Sequence, residues 1–197
     1  MDYPEDSMVL MRELDVPCWT AGGYLLDYFT NNPWRDMDIF FPDNDTMLEA
    51  INRMKSSGYE LIDIFDHNII KGGAIVFKWR GRLVDFMVNG ASPEETIRTF
   101  DFTVCCCSLD SEGELVFHKE YFDHIDKRRL EYTGGVMYSD IQQRLKRLKR
   151  YILKGYGIDQ GNIVCWIDSI MKQQDQIFAN TVKYANKFDI RRRSLKC

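Results

Sequence analysis

The stretch that decides the fold is residues 18–42, C-W-T-A-G-G-Y-L-L-D-Y-F-T-N-N-P-W-R-D-M-D-I-F-F-P. It joins the pair Gly22-Gly23 to a helix-like run that Pro33 ends, and then to an apolar strand headed by Asp-Met-Asp. Side chains two residues apart in a strand point to the same face, so Asp36 and Asp38 should lie side by side. Like charges so placed repel unless something neutralises them, and a metal ion is the usual partner.

A third carboxylate belongs to the same prediction. Asp85 lies inside the apolar run L-V-D-F-M-V, in a hairpin predicted over 73–89 around the turn R-G-R. A charge inside an apolar strand is costly unless it is paired or exposed. If this strand lies beside the first, Asp36, Asp38 and Asp85 converge as catalytic and metal-binding residues. Two Mg²⁺ ions held in this way would serve an in-line displacement at phosphorus.

The paired glycine adds a place for phosphate. Without side chains, Gly22 and Gly23 let backbone N–H groups approach a phosphate, and the helix that follows adds favourable partial charge. The structural alternative leaves Asp36 and Asp38 solvated at a strand edge, with Asp85 on an exposed face. The apolar neighbours I-F-F and F-M-V favour buried strands, and therefore the metal site.

Composition bounds the class of protein. At 197 residues the chain fits one domain, or a domain with a helical appendix. A net charge of −4 argues neither for nor against a nucleic-acid partner. Six cysteines without a C-x-x-C pair predict buried free thiols in a reducing compartment. The N-terminus lacks a signal core, and no apolar run approaches the roughly 18 residues that cross a bilayer. We therefore expect a cytoplasmic protein without a membrane partner, and the oligomeric state stays open.

The order of predicted elements indicates an α+β fold. Helices are expected over 7–14, 22–32, 44–57 with Asn44 or Asp45 as its cap, from Ser92-Pro93 onward, 121–131, 137–154 and 162–186; further strands are expected over 16–20, 59–65, 102–109 and 114–118. The sequence is therefore divided into a mixed α/β domain over 1–118 and a helical part with a basic tail over 119–197.

Three motifs carry a family resemblance. Residues 21–27 and 35–41, A-G-G-Y-L-L-D and R-D-M-D-I-F-F, resemble the G-G-x-V-R-D and D-x-D-I patterns of class II tRNA nucleotidyltransferases and bacterial poly(A) polymerases. Residues 94–106 resemble that family's E-D-L-x-R-R-D-F-T-I-N-A, and 144–151 resemble its neck helix. The resemblance implies a polymerase-β-like nucleotidyltransferase head, a mixed sheet flanked by helices, followed by a helical neck. It also implies a reduced form that lacks the family's body and tail.

The resemblance further implies a nucleotide site. Its members would be Gly22, Gly23, Arg35, Asp101, Arg144 and Arg147, with Asp101 near the ribose and the two arginines of 144–147 near the base. This chain departs from the family pattern at three arginine positions, which Leu26, Thr99 and Phe100 occupy. These departures remove phosphate or sugar contacts of the family scheme, but they leave the metal site in place.

Residues 142–154 form a basic helix that contains no acid. Its arginines recur every three residues, whereas Leu145, Leu148 and Ile152 form the stripe expected to pack in the core. The functional interpretation is contact with a nucleotide or with RNA; the alternative is a solvated basic face. The candidates for RNA contact are Lys149, Arg150, Arg191, Arg192 and Arg193.

These observations predict a Mg²⁺-dependent, nucleotide-binding transferase. It would take an NTP such as ATP, transfer a nucleotidyl group to an acceptor hydroxyl, best an RNA or tRNA 3′ end, and release pyrophosphate. The competing hypothesis is a catalytically degenerate module that binds nucleotide or RNA and acts through a partner. Leu26 and Phe100 favour the competing hypothesis, and the three carboxylates oppose it.

Overall fold

The computed structural model describes residues 4–65, 74–135, 141–173 and 175. The helices are α1 (Glu5–Leu14), α2 (Gly23–Phe29), α3 (Asn44–Ser56), α4 (Pro93–Arg98), α5 (Tyr121–Asp126), α6 (Ile141–Leu153) and α7, described over 160–173. The strands are β1 (Trp19–Ala21), β2 (Asp36–Phe41), β3 (Glu60–Phe65), β4 (Ala74–Trp79), β5 (Arg82–Val88), β6 (Cys107–Asp110), β7 (Leu115–Phe117), β8 (Arg129–Leu130) and β9 (Gly157–Ile158). The α+β class is therefore confirmed.

Seven strands form one mixed sheet in the order β3-β4-β5-β2-β1-β6-β7. Strands β2 and β5 are parallel neighbours, and the other neighbouring pairs of this sheet are antiparallel. The register places Asp38 directly opposite Asp85, and Asp36 opposite Leu83. The expectation that the two acid-bearing strands are adjacent is confirmed.

The alternation of β2 separates two cores. Met37, Ile39 and Phe41 pack into the first core, which α1 and α3 cover. Phe40 packs into the second core, which includes residues of α6 and α7. Because side chains two residues apart share a face, Asp36 and Asp38 lie on the side of Phe40. The acids therefore face the C-terminal helices.

Local capping and turn chemistry explain several element ends. Ser92 accepts a hydrogen bond from the backbone N–H of Glu95, so α4 begins where the sequence indicates. The cap of α3 is Asp43, whose side chain accepts from Thr46 N at 2.7 Å, and the prediction of residue 44 or 45 was wrong by one or two positions. The β4–β5 turn has positive φ at both Arg80 and Gly81, which suits a two-residue hairpin.

Two predicted elements differ from the structure. The strand expected over 102–109 begins only at Cys107, because Thr103–Cys105 form a turn of 3-10 helix closed by Cys105 N donating to Phe102 O at 2.9 Å. The helix expected over 121–131 ends at Asp126, and β8 then pairs in parallel with β9. The C-terminal part thus contains a small sheet as well as helices.

The division at residue 118 stays a prediction. The second core joins Phe102 and Val104 to Leu148, Tyr151 and Trp166, so residues from both sides of the division pack together. The tail residues Arg191, Arg192 and Arg193, and the later part of the helix expected over 162–186, lie outside the described residues. Within the described ranges, no helix combines the length and apolar character needed to span a bilayer.

Candidate active site

A cavity of about 200 Å³ lies between α2, the start of β2 and the inward face of α6. Its lining is strongly charged. The carboxylates are Asp27, Asp36, Asp38 and Asp101, and the cations are Arg35, Arg147, Arg150 and Lys154. Gly22, Gly23, Tyr24 and Phe100 are among the remaining lining residues. Residues from both halves of the chain therefore build one site.

The two register-paired acids are costly to ionise together. Burial, followed by repulsion from Asp85 and then Asp36, raises the pKa of Asp38 from its ordinary 3.8 to about 8. Burial and then repulsion from Asp36 raise the pKa of Asp85 to about 6. The strands thus hold these carboxylates close enough to oppose one another's charge, as the sequence predicts.

Asp36 has a cation beside it in the chain. Arg35 Nε donates to Asp36 Oδ2 at 2.9 Å, and Asp36 also forms an ion pair with Arg35 Nη2. Within the described ranges, no group of three or more His, Cys, Asp or Glu side chains is close enough to enclose a metal ion. Asp85 is the register partner of Asp38 but does not belong to the cavity lining.

Gly22 is required where it lies. Its φ is +84°, in the region that L side chains rarely adopt, and a Cβ there would lie 3.4 Å from the ring of Phe100. Its N–H donates to Cys107 O at 3.1 Å, so this amide holds α2 against β6. Gly23 has open space around a Cβ position. Phe100, in place of a family arginine, therefore packs over the glycine turn.

Asp101 is a buried anchor for α6. It is 1% exposed and accepts from Arg147 Nη1 at 2.9 Å. Its other oxygen, Oδ2, lies 3.8 Å from Arg144 Nε. Two arginines of the basic helix thus converge on one buried carboxylate, which fixes the rotation of α6 relative to the sheet.

Arg144 lies behind the cavity instead of lining it. The residue is fully buried, and its Nη atoms donate to Ser169 Oγ at 3.1 Å and Gln173 Oε1 at 3.2 Å. Its guanidinium also lies 5.7 Å from the Trp166 ring centre. Neighbouring side chains of α7 therefore hold Arg144, whereas Arg147 and Arg150 line the cavity.

The apolar stripe predicted for α6 is confirmed at Leu148 and was wrong at the other two positions. Leu145 is 50% exposed and Ile152 is 49% exposed, whereas the inward stripe is Arg144, Leu148 and Tyr151. The reason is that Asp101 attracts Arg144 and the second core accepts Tyr151, which turns the two leucine-stripe positions outward. Lys149, an RNA-contact candidate, is exposed.

Sequence reasoning missed one ion pair of the cavity. Lys154 Nζ donates to Asp27 Oδ1, joining the end of α6 to α2. Leu26, where the family has an arginine, is fully buried in the second core. The signal was available, because Arg147, Arg150 and Lys154 follow the i, i+3, i+7 spacing of one helix face.

The fold is that of the tRNA nucleotidyltransferases. A Thermotoga maritima CCA-adding enzyme complexed with tRNA is similar with a TM-score of 0.63 and 15% identity, over 87% of this chain and 43% of that one. A tRNA nucleotidyltransferase complexed with a primer tRNA and an incoming ATP analogue gives 0.62 and 13%, over 85% and 50%. Identities this low establish the fold alone.

The sequence also matches one protein family directly. Residues 3–128 match the family described as Gabija anti-defense 2 family protein, and this chain belongs to it. A curated relative, Gabija anti-defense 2 of Bacillus phage SPbetaL7, is 25% identical over 146 residues. That alignment covers 73% of this chain and 35% of the relative, so the chain spans about a third of the relative's length. The reduced form stays a prediction.

Proposed function

We propose that this chain transfers a nucleotidyl group from an NTP to an acceptor hydroxyl, releasing pyrophosphate. The family name leads us to propose further that the transfer counters Gabija defence. The observation that supports transfer is a single cavity that joins the Asp36 and Asp38 carboxylates to the cationic face of α6. Carboxylates alone would repel an NTP, and cations alone would only bind it.

The chemistry of the three carboxylates suits divalent cations, and a bound ion would have to draw them together, since no three acids of the described residues are close enough to enclose one. Asp36, Asp38 and Asp85 would hold Mg²⁺, two ions in the full scheme, because carboxylate oxygens are the ligands that Mg²⁺ prefers. The raised pKa values of Asp38 and Asp85 fit this role, since burial and then repulsion from neighbouring carboxylates disfavour their charged forms. Bound Mg²⁺ would supply a counter-charge and offset the charge of the phosphates.

The cations would position the NTP. Arg147, Arg150 and Lys154 would contact the triphosphate, replacing the charge that the buried Leu26 does not provide. Asp101 would orient Arg147 by accepting from its Nη1. Gly22 and Gly23, which have no side chains, would leave room for the triphosphate in the same cavity. The arginine pair predicted to contact the nucleotide is thus reduced to Arg147, with Arg144 as its buried support.

The carboxylates would prepare the acceptor hydroxyl for attack. Asp85, with a pKa of about 6, would be ionised in most molecules at neutral pH and would accept the proton of the attacking hydroxyl. Arg35 would keep one Asp36 oxygen oriented. An RNA or tRNA 3′ end is the acceptor we propose, because two similar solved enzymes are complexed with tRNA.

A second candidate is nucleotide binding without transfer. Arg35 already pairs with Asp36, and no three-ligand group for a metal occurs within 4–65, 74–135 and 141–173. Both features would suit a site in which the arginine side chain takes the place of a metal ion. Partner binding would then replace chemistry.

The test separates the two candidates. The full chain is incubated with Mg²⁺, each NTP labelled at the α-phosphate, and cellular RNA or protein. We expect label in one acceptor fraction, lost in the Asp36→Ala/Asp38→Ala double variant and kept in Asp168→Asn, an exposed aspartate of α7. Melting curves with each NTP are recorded in parallel. Stabilisation by an NTP without label in any fraction would support binding alone.

A further inference from the structure

A second cavity, of about 780 Å³, lies at the starting ends of β2 and β5. Its lining includes Asn31, Asn32, Trp34 and Arg82. Trp34 lies two residues before Asp36, and Arg82 lies one residue before Leu83, the register partner of Asp36. The cavity therefore opens at the starting end of the acid-bearing strands, on the face of the first core, because Arg82 shares the face of Val84 and Phe86.

The two cavities share a wall of aromatic rings. Tyr24 lines the charged cavity, and its ring meets the Trp34 ring edge-to-face with centres 4.9 Å apart. Trp34 in turn lies under Arg82, whose guanidinium carbon is 3.8 Å from the indole ring centre. A molecule that extends from the acids past Tyr24 would next meet this stack.

Arg82 has a different setting from its neighbour in the same hairpin. Arg80 also lies over an indole, that of Trp79, but it forms an ion pair with Glu13 at 3.0 Å. Arg82 is exposed and forms no ion pair with an acid of the described residues. One face of its guanidinium covers Trp34, and the opposite face is left for a further planar group.

We propose that this cavity, the acceptor platform formed by Asn31, Asn32, Trp34 and Arg82, binds a nucleobase of a single-stranded nucleic-acid acceptor. A base would stack on the outer face of the Arg82 guanidinium, as RNA bases do on arginine planes and aromatic rings. The Arg82 charge complements the adjoining phosphate. The Asn31 amide offers hydrogen-bonding partners to a base edge, and so does the amide oxygen of Asn32, whose nitrogen donates to Thr30 Oγ1 at 2.8 Å.

The acceptor role rests on the proposed transfer, but binding can be measured without it. Fluorescence anisotropy of a short fluorescein-labelled single-stranded RNA is recorded with the full chain in EDTA and without NTP. The variants are Arg82→Ala, Arg82→Lys and Trp34→Leu, with Arg80→Ala as the matched control. Each variant is first melted to confirm that it is folded.

We expect Arg82→Ala to weaken RNA binding about tenfold, in line with the loss of one stacked base. The slope of log K against log salt is negative, and Arg82→Ala should make it shallower by about 0.7, the contribution of one phosphate contact on a single strand. Arg82→Lys should restore the slope but not the affinity, because an ammonium group cannot stack as a plane. Trp34→Leu should weaken binding with the slope unchanged, and Arg80→Ala should bind as the wild type.

The proposal is overturned if Arg82→Ala binds as the wild type, if Arg80→Ala weakens binding equally, or if the wild type binds no single-stranded RNA. The Asp36→Ala/Asp38→Ala variant distinguishes the two levels of argument. If that variant and the wild type both bind RNA, Arg82→Ala binds it more weakly and none of them transfers label, the platform stands and the proposed transfer fails. If the wild type transfers label and Arg82→Ala transfers it equally at low RNA concentration, the platform fails and the transfer stands.

Discussion

Replacing Asp38 by asparagine should stabilise the protein. In the folded chain the pKa of Asp38 is about 8, against an ordinary value of 3.8 that describes the unfolded chain. At pH 7 the unfolded state is ionised at this residue, whereas the folded state keeps a proton. The folded state therefore binds more protons, and stability falls as pH rises between these two values. Asparagine has no proton to take up.

The magnitude follows from the shift. Each pH unit between 3.8 and 7 corresponds to about 1.36 kcal/mol, which gives an upper value of about 4 kcal/mol at pH 7. Asp38 lines a cavity that opens to water, so we halve this value for solvent screening. We expect Asp38→Asn to raise the free energy of unfolding by about 2 kcal/mol at pH 7. Between pH 6 and 8 the gain should widen by about 0.7 kcal/mol for each pH unit.

Urea unfolding in EDTA at several pH values measures this gain, with Asp168→Asn as the control. The control aspartate is exposed, so its substitution should change stability by less than about 0.5 kcal/mol. A variant no more stable than the wild type, or a gain that shrinks as pH rises from 6 to 8, would refute the reasoning. On the proposed function, the same variant should also lose Mg²⁺-dependent stabilisation by NTP, because it removes one of the carboxylates proposed to hold the ion.

Three further substitutions test the surroundings of the cavity. Leu26→Arg, which restores the family arginine, should lower the unfolding free energy by at least about 3 kcal/mol because the residue is fully buried; urea unfolding measures the loss, and unchanged stability would contradict the packing. Lys154→Gln should weaken NTP binding about tenfold in calorimetry, whereas Lys149→Gln, on the exposed side of α6, should not. Arg144→Met should cost about 3 kcal/mol because it leaves a buried carboxylate short of one cation, and the exposed Lys146→Met should melt as the wild type does.

The acid-bearing strands were predictable because their signals are local. The alternation of β2 and the turn of the β4–β5 hairpin both follow from neighbouring residues, and the structure confirms β2 over Asp36–Phe41. The pairing of Asp38 with Asp85 needed only the assumption that the two strands are adjacent, and that assumption holds. Neighbouring residues determine each strand, whereas the adjacency of β2 and β5 joins residues more than 40 positions apart.

The cationic side of the site was harder to predict because its partners are distant. Which face of α6 turns inward depends on Asp101, and a hydrophobic pattern alone selects Leu145 and Ile152 in error. The spacing of Arg147, Arg150 and Lys154 indicates one cationic face of α6, but nothing local in the sequence indicates that Lys154 pairs with Asp27, 127 positions away. A buried arginine breaks the assumption that apolar residues mark the core.

The Asp27–Lys154 pair spans 127 positions of the chain, which makes the site late in the order of synthesis. At translation rates of 5–20 residues per second, roughly 6 to 25 seconds separate the two residues as they leave the ribosome. During that interval the ribosome has synthesised the residues of the sheet and its carboxylates, but it has not yet synthesised the cationic residues of α6. A nascent or cleaved fragment that ends before α6 would therefore present an acidic cleft that repels nucleotides. The proposed NTP binding should therefore require a chain that extends past residue 154.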